Sequence, residues 1–267
     1  MRPVSIPSFI EKHDQPKDLL KARAEVIREK LQRLHSATPD VSIVIPAYNE
    51  AENILKTLSS LADTTTKKKI EIIVVDNNSK DETGELIKLS GATYVSETTQ
   101  GITPARNAGL RTAKGTYVLN ADADTIYPPE WIDHMVAPMF KDDVAMVYGT
   151  FSFLPTTGIP RSVFFAYEYL SDFTKWINKN FRVEAVNVYG FNSAFRRIEG
   201  LQVDCFNHPV GSNEDGWLGI KLCTKFDKKL HHVSNPNAIV WTTDRRIQID
   251  GGIIKGFFKR FKRHVGA

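Results

Sequence analysis

The sequence predicts an α/β protein: a mostly parallel central sheet with helices on both faces, an N-terminal helix before it and a basic amphipathic helix after it. Three observations predict this. Short, near-continuous apolar runs at 41–45, 70–75 and 144–148 read as strands buried on both faces. Segments at helical spacing separate them, the alternation that builds parallel sheets. Polar residues gather where the runs end, at Asn49 and Glu50, Asp76 to Ser79, and Asp122 with Asp124. Sheets of this kind bind ligands at those carboxyl ends.

Taken in order, residues 17–35 read as one helix, with Leu20, Ala24, Ile27, Leu31 and Leu34 at alternating four- and three-residue steps. It can pack on the main domain or on a second subunit of a homodimer, and Pro39 ends the segment. Strands follow at Val41–Ile45, Ile70–Val75, Thr93–Val95, Tyr117–Leu119 and Val144–Tyr148. Helices are expected at Asn53–Leu61, Glu82–Leu89, Pro104–Thr112 and Trp131–Phe140. The second half is less regular: helices at Phe164–Trp176 and Asn213–Leu222, a last strand ending at Val240 and Trp241, and a closing helix at Ile253–Phe261. The aromatics Tyr167, Tyr169, Phe173 and Trp176 read as helix packing, with acceptor contact the lesser alternative. His231 and His232 read as structural or solvated residues beside a strand. We divide the chain into an extension (1–40), a main domain (41–250, with halves 41–125 and 126–250) and a tail (251–267).

Hydrophobic residues make up 42% and charged residues 25%, an ordinary globular composition that excludes a disordered chain. A formal charge of +4 does not indicate a nucleic-acid binder. Cys205 and Cys223 form no CxxC pair, so a zinc or thioredoxin-type site is unsupported, and both read as thiols of a reducing compartment. The first residues lack the apolar core of a signal peptide, and no apolar run approaches the ~20 residues of a membrane span. The expectation is a cytoplasmic protein that can rest peripherally on the inner face of a membrane.

The chemistry centres on Asn120-Ala121-Asp122-Ala123-Asp124. Two carboxylates one residue apart, just past a buried strand, face one region at its end. Oxygen ligands of this kind suit Mg²⁺ or Mn²⁺, which keep positions open for phosphate oxygens. Alone, such a pair is as ordinary as an acidic surface turn. Its context is VSIVIPAYNE (41–50), IIVVDNNSKDET (72–83), GITPARNAGL (101–110) and NADADT (120–125), in that order. Together these resemble a family 2 glycosyltransferase of the GT-A fold, over about residues 41–246.

The resemblance implies that Pro46, Ala47, Tyr48 and Glu50 line a nucleotide pocket and that Asp76 contacts the base, with Asn78 and Ser79 extending its loop. It places Arg106 near ribose and pyrophosphate, Asp122 and Ala123 by the ribose, and Asp124 on the metal. Tyr189 to Arg197, with Asn192, resembles the segment backing the donor sugar. Asn213-Glu214-Asp215 resembles the family's acidic motif, making Asp215 the general base with Glu214 beside it. Without the resemblance, the same pair reads as an acidic helix start capped by Asn213. Trp217 reads equally as core or as a platform for acceptor sugar.

Transfer from a nucleotide-diphosphate sugar needs stabilisation of the leaving diphosphate and a base for the acceptor hydroxyl. One base and one metal, with no second carboxylate nucleophile evident, point to a single in-line displacement that inverts the anomeric centre. UDP is the nucleotide the resemblance favours, with GDP and dTDP open; the acceptor is a carbohydrate or a lipid-linked sugar in polysaccharide or glycolipid assembly.

Two departures matter. Many relatives place a metal-binding histidine after the last strand, where this chain reads Val240-Trp241-Thr242-Thr243-Asp244. That leaves Asp244 or water as the further ligand. The QxxRW motif of processive synthases is also missing; Thr243-Asp244-Arg245-Arg246 resembles the segment of some non-processive members. Arg245 and Arg246 there can clamp diphosphate or lie solvated. In the tail, Ile253, Ile254, Phe257, Phe258 and Phe261 alternate with Lys255, Lys259, Arg260, Lys262 and Arg263. That pattern suits either an anionic membrane surface or docking on the core. Two rivals remain: a nucleotidyltransferase, whose glycine-rich loop is replaced here by IPAYNEAEN, and a binding module without catalysis, against which Asp122, Asp124 and Asp215 all stand intact.

Overall fold

The computed structural model describes residues 2–249 apart from Thr157, together with Gly251, Gly252 and Lys255; the Arg246 side chain also lies outside this set. The strands are β1 (Val41–Ala47), β2 (Ile70–Asp76), β3 (Thr93–Ser96), β4 (Tyr117–Asn120), β5 (Thr125–Ile126), β6 (Val144–Gly149), β7 (Phe151–Leu154), β8 (Ser193–Arg196), β9 (Lys229–Val233) and β10 (Val240–Thr243). The helices are α1 (Ser8–His13), α2 (Lys17–Ala22), α3 (Ala24–Leu34), α4 (Ile54–Ala62), α5 (Thr83–Ser90), α6 (Ile102–Thr112), α7 (Trp131–Val136), α8 (Arg161–Phe181), α9 (Arg197–Gln202), α10 (Glu214–Phe226) and α11 (Arg245–Ile249).

Seven strands form the main sheet in the order β3-β2-β1-β4-β8-β6-β9. All run parallel except β8, which is antiparallel to both of its neighbours. Every residue of β1 and β2 is buried, as expected of strands covered on both faces. Their side chains alternate between two cores. Val41, Ile43 and Ile45 pack with α3, α4, α5 and α7, whereas Val44, Ile73 and Val75 pack with α6 and α10. Gly109 brings α6 flush onto the sheet: a Cβ there would lie 2.2 Å from Val44 Cγ1. The expected mostly parallel sheet with helices on both faces is therefore observed.

Several expectations need correction. The single helix over 17–35 is two, broken at Arg23, and α1 precedes them unforeseen. Of the two partners left open for this segment, it chooses its own domain: Leu20, Ile27 and Leu31 join the core under α4 and α5. The helix expected at 131–140 turns 3₁₀ after Val136, where Pro138 removes a backbone donor. A second sheet of order β5-β10-β7 was not anticipated, nor were β8 and β9, so His231 and His232 lie within a strand rather than beside one. The helix expected at 164–176 runs from Arg161 to Phe181. Only Phe164 and Tyr167 of its aromatics are buried, whereas Tyr169, Phe173 and Trp176 face outward. No described helix is long and apolar enough to cross a membrane. The closing helix expected at 253–261 lies outside the described residues.

Candidate active site

Sheet register builds the site. Ala47 pairs with Asp76 at the ends of β1 and β2, and Val44 pairs with Asn120 near the end of β4. The chain therefore leaves these strands at one edge, carrying Tyr48 to Glu50, Asn77 to Ser79, and Asp122 to Asp124. Asn49 and Asn78 take left-handed backbone angles (φ 53° and 64°), which asparagine tolerates in turns. The two loops are sewn together: Asn49 N–H donates to Ser79 Oγ (3.0 Å), Lys80 N–H to Asn49 Oδ1 (2.8 Å) and Glu50 N–H to Thr83 Oγ1 (2.8 Å). Asp76 is buried and accepts from Ser79 N–H (3.1 Å) and the Tyr94 hydroxyl (3.2 Å). Pro46 and Ala47 are buried at the end of β1; Tyr48 is half exposed on the rim.

Arg106 is the electrostatic centre. It projects from α6, is buried, and meets carboxylates from two distant segments. Nη2 donates to Asp122 Oδ1 at 3.0 Å, while Nε lies 3.4 Å from Asp215 Oδ1 and 3.9 Å from Glu214 Oε1. Burial would lower its pKa, but Asp215, Asp122 and Glu214 together hold it above the ordinary guanidinium range. The carboxylates respond in turn. Burial pushes the Asp122 carboxyl up to about 6 against the pull of Arg106, with Asp124 and Glu214 adding to the rise. Burial likewise holds Asp215 well above the usual carboxylate range, reinforced by Glu214 and Asp122. Arg106 Nε and Nη1 and Asp215 Oδ1 are buried without a hydrogen bond. Unmet buried polar atoms are costly and point to a site that a ligand completes.

Two glycine and asparagine positions shape this centre. A Cβ on Gly190 would lie 2.0 Å from Arg106 Nη2 and 2.4 Å from Asp215 Oδ2, so only glycine leaves room for the pair. Asn213 caps α10, its Oδ1 accepting from Asp215 N–H (2.9 Å) and Gly216 N–H (3.3 Å). The capping reading is observed at Asn213, which leaves the Asp215 side chain to face Arg106.

The second carboxylate, Asp124, faces a different set of partners. The antiparallel β5–β10 register pairs Thr125 with Thr242, which brings the next residue, Thr243, opposite Asp124. Thr243 Oγ1 donates to Asp124 Oδ2 at 2.9 Å. The Arg245 guanidinium, at the start of α11, bridges Asp124 Oδ2 (3.2 Å) and Glu50 Oε1. Burial raises the pKa of Glu50, with Arg245 and Asn53 opposing. Asp244 turns away and accepts from Thr156 N–H at 3.1 Å, so it does not serve as a neighbour to Asp124. Among the described residues no three His, Cys, Asp or Glu side chains are grouped to hold a metal ion. Asp124 is nonetheless a partly exposed carboxylate that already neutralises one cation, a donor set that fits an ion completed by phosphate oxygens and water.

Asn192 is drawn out of the site: its amide accepts from Trp131 Nε1 (2.8 Å) and donates to the Thr150 carbonyl (2.8 Å), both buried. The expected contact of Asn192 with sugar is therefore replaced by a core role behind the site. Glu214 stays beside Asp215, and Trp217 is half-buried on α10. Gly190 and Thr243 fall inside segments the sequence singled out, but their roles against Arg106 with Asp215 and against Asp124 are revealed only by the partners they face.

A mostly parallel sheet with helices on both faces and the Asp122-Ala123-Asp124 turn at its carboxyl edge make this an α/β protein of the GT-A class. The glycosyl transferase family 2 model matches residues 42–199, and the chain belongs to that family. Glycosyltransferase AglE of Haloferax volcanii is 34% identical over 130 residues, 46% of this chain and 43% of that protein. An Escherichia coli relative, the UDP-Glc:alpha-D-GlcNAc-diphosphoundecaprenol beta-1,3-glucosyltransferase WfgD, is 27% identical over 123 residues, 45% of this chain and 48% of its own length. The aligned parts thus span less than half of either relative. The fold is similar to that of the mannosyltransferase PcManGT of Pyrobaculum calidifontis, solved with GDP-Man and Mn2+, with a TM-score of 0.58 and 20% identity over 91% of this chain and 76% of that one.

Proposed function

We propose that the chain transfers a single sugar, with inversion, from a nucleotide-diphosphate sugar to a hydroxyl of a carbohydrate or lipid-linked acceptor. The observation that carries this reading is the convergence of Asp122, Glu214 and Asp215 on the buried Arg106. In it Asp215 is the general base. Its raised pKa gives it more appetite for a proton than an ordinary carboxylate, as a base for a sugar hydroxyl needs. Arg106 keeps Asp215 in place and favours its charged form, and its Nε and Nη1, buried without a hydrogen bond, would be completed by the diphosphate. Asp122 and Ala123 lie by the ribose. The base and uridine-type rim are lined by Pro46, Ala47, Tyr48, Glu50, Asp76 and Asn78.

Asp124 would hold Mn²⁺ or Mg²⁺, which supplies charge neutralisation for the departing diphosphate. Arg245, with Arg246 next to it in sequence, then turns from Asp124 to the diphosphate, where a guanidinium fork matches phosphate oxygens. UDP is the favoured nucleotide, since WfgD is a UDP-Glc enzyme by name; GDP is the rival, since PcManGT was solved with GDP-Man. The diphosphoundecaprenol acceptor in the name of WfgD supports a lipid-linked acceptor and a place at the cytoplasmic membrane face.

The test is a thermal-shift screen of UDP-, GDP- and dTDP-sugars with and without Mn²⁺. One donor should raise the melting temperature only when the metal is present, because a ligand selective for the folded state stabilises it. If no nucleotide sugar moves the melt under either condition, the reading is wrong.

A further inference from the structure

The 21 residues of α8 would span about 32 Å at 1.5 Å per residue, and the helix has two unlike faces. Inward lie Phe164, Tyr167, Glu168, Lys175 and Asn178. Outward lie Tyr169, Leu170, Phe173, Trp176 and Phe181, between 44% and 71% exposed. Tyr169, Phe173 and Trp176 lie four, three and seven residues apart, with Leu170 three before Phe173, and make one stripe that Phe181 extends. The Phe173 and Trp176 rings stack at 6.0 Å, and Trp176 meets Phe181 edge-on at 5.5 Å. An apolar patch of this extent on a protein surface marks a docking face.

Charge decides what docks. Both acids of α8 are held by cations: the buried Glu168 by Arg2 and Arg161, and Asp172, 36% exposed at the edge of the stripe, by Arg2 and Lys175. The outward stripe is left with no unpaired acid. Its C-terminal end carries Lys179, loosely paired with Glu184 at 3.7 Å, and the exposed Arg182. At the opposite end, Arg161 stacks over Trp241 at 4.9 Å, and Asp244 accepts from Thr156 N–H. The chain thus passes from β10 into α11 beside the start of α8. The sequence that follows α11 repeats the same chemistry, with Phe257, Phe258 and Phe261 among five cations.

We propose that the outward face of α8, centred on Tyr169, Leu170, Phe173 and Trp176, is an in-plane docking surface for an anionic lipid bilayer. Aromatic side chains favour the headgroup boundary, and neighbouring lysine and arginine are attracted to anionic lipid. A second copy of the chain fits less well. A two-fold contact sets the stripe against itself, and the stripe holds no unpaired acid to meet Lys179 or Arg182. The segment after α8 leads through Glu184–Asn187 to Gly190 beside Asp215, so a bilayer on this face would lie on the side from which α8 connects to the base. The inference does not depend on the transfer reaction.

The experiment is flotation of the full chain with mixed phosphatidylcholine–phosphatidylglycerol vesicles and with pure phosphatidylcholine, for the unaltered protein and for F173E/W176E. The unaltered chain should float with the anionic vesicles and more weakly with the neutral ones. The double variant should lose about tenfold or more in partitioning, equivalent to about 1.4 kcal/mol, with an unchanged melting temperature. If the glutamates lower the melt, F173Q/W176Q takes their place. Brominated lipid should quench tryptophan emission of the unaltered chain and quench W176F less. Equal flotation of the double variant overturns the proposal and assigns attachment to the tail. So does a dimer in light scattering that F173E dissolves, which makes the face a contact between copies. Failure of the unaltered chain to float also overturns it. A nucleotide-sugar thermal shift measured on the same samples reports separately on the donor site.

Discussion

Asp215 Oδ1 stands 3.4 Å from Arg106 Nε, yet both atoms are buried and neither makes a hydrogen bond. The two attract as charges without the alignment that would lock them. A carboxylate held this way is positioned but not saturated, and it keeps a lone pair for a proton.

Asp215→Asn should therefore lower transfer by ~10²–10⁴-fold, the usual cost of losing a general base, with the donor-induced thermal shift nearly unchanged. Glu214→Gln should be milder. Near-normal turnover by Asp215→Asn would move the base to Glu214.

The pH profile should carry the same signature. Because burial holds Asp215 protonated beyond the usual carboxylate range, kcat/KM should fall on the acid side at a pH above that range. The base works only when deprotonated, so activity is present above the raised pKa and lost as pH falls through it. Arg106→Gln removes the cation that favours the charged form and should push this limb higher still. A limb that stays put in the Arg106 variant rejects the coupling.

Gly190→Ala tests the crowding. Its Cβ would displace Arg106 or Asp215 by a good fraction of an ångström, and misplacement on that scale costs on the order of 10² in rate. Turnover should collapse while a thermal melt records only a modest loss. A fully active Gly190→Ala protein would mean the pair has slack that the packing does not suggest.

Asp124→Ala should abolish the Mn²⁺-dependent binding of nucleotide sugar and leave the fold intact, since this carboxylate sits at a turn and not in the core. Thr243→His is the converse. It sets an imidazole where Thr243 now contacts Asp124, and Mn²⁺ affinity, read by electron paramagnetic resonance on nucleotide-free protein, should tighten. Unaltered affinity in both variants removes Asp124 from the metal's surroundings.

His13 gives a pH effect on stability. It is buried, with Nδ1 2.9 Å from Ser59 Oγ, and burial lowers its pKa to about 4 despite the nearby Asp63. Folding therefore favours the neutral ring. The stabilisation is complete above the unfolded value of about 6.5 and is lost as pH falls toward 4. His13→Gln should flatten the stretch of the stability curve between those limits, measured by urea denaturation at several pH values.

Much of the first half was legible because its strands are long apolar runs with polar residues at their ends. The second half was not. β9 reads Lys-Leu-His-His-Val, an edge strand with only two aliphatic residues, and its pairing to β6 is set by tertiary contact. β8 is four residues inserted between β4 and β6, which no local pattern announces. The break at Arg23 has no glycine or proline to mark it. At the site, motif order singled out Asp122, Glu214 and Asp215 separately, but their meeting at Arg106 depends on α6 and α10 closing over the same sheet face. The outward aromatics of α8 were misjudged because helical spacing tells which residues share a stripe and not which way the stripe looks.

Thr57, on α4, donates from its hydroxyl to the carbonyls of both Ala123 (2.9 Å) and Thr125 (2.8 Å). The turn bearing Asp124 is thereby anchored from behind, by a residue that lies outside the loops at Tyr48 and Asn78. If the nucleotide sits where we propose, randomising the exposed positions 48 and 78 should retune which nucleotide enters while Thr57 keeps the turn of Asp124 in place, which makes those two positions the natural ones to diversify.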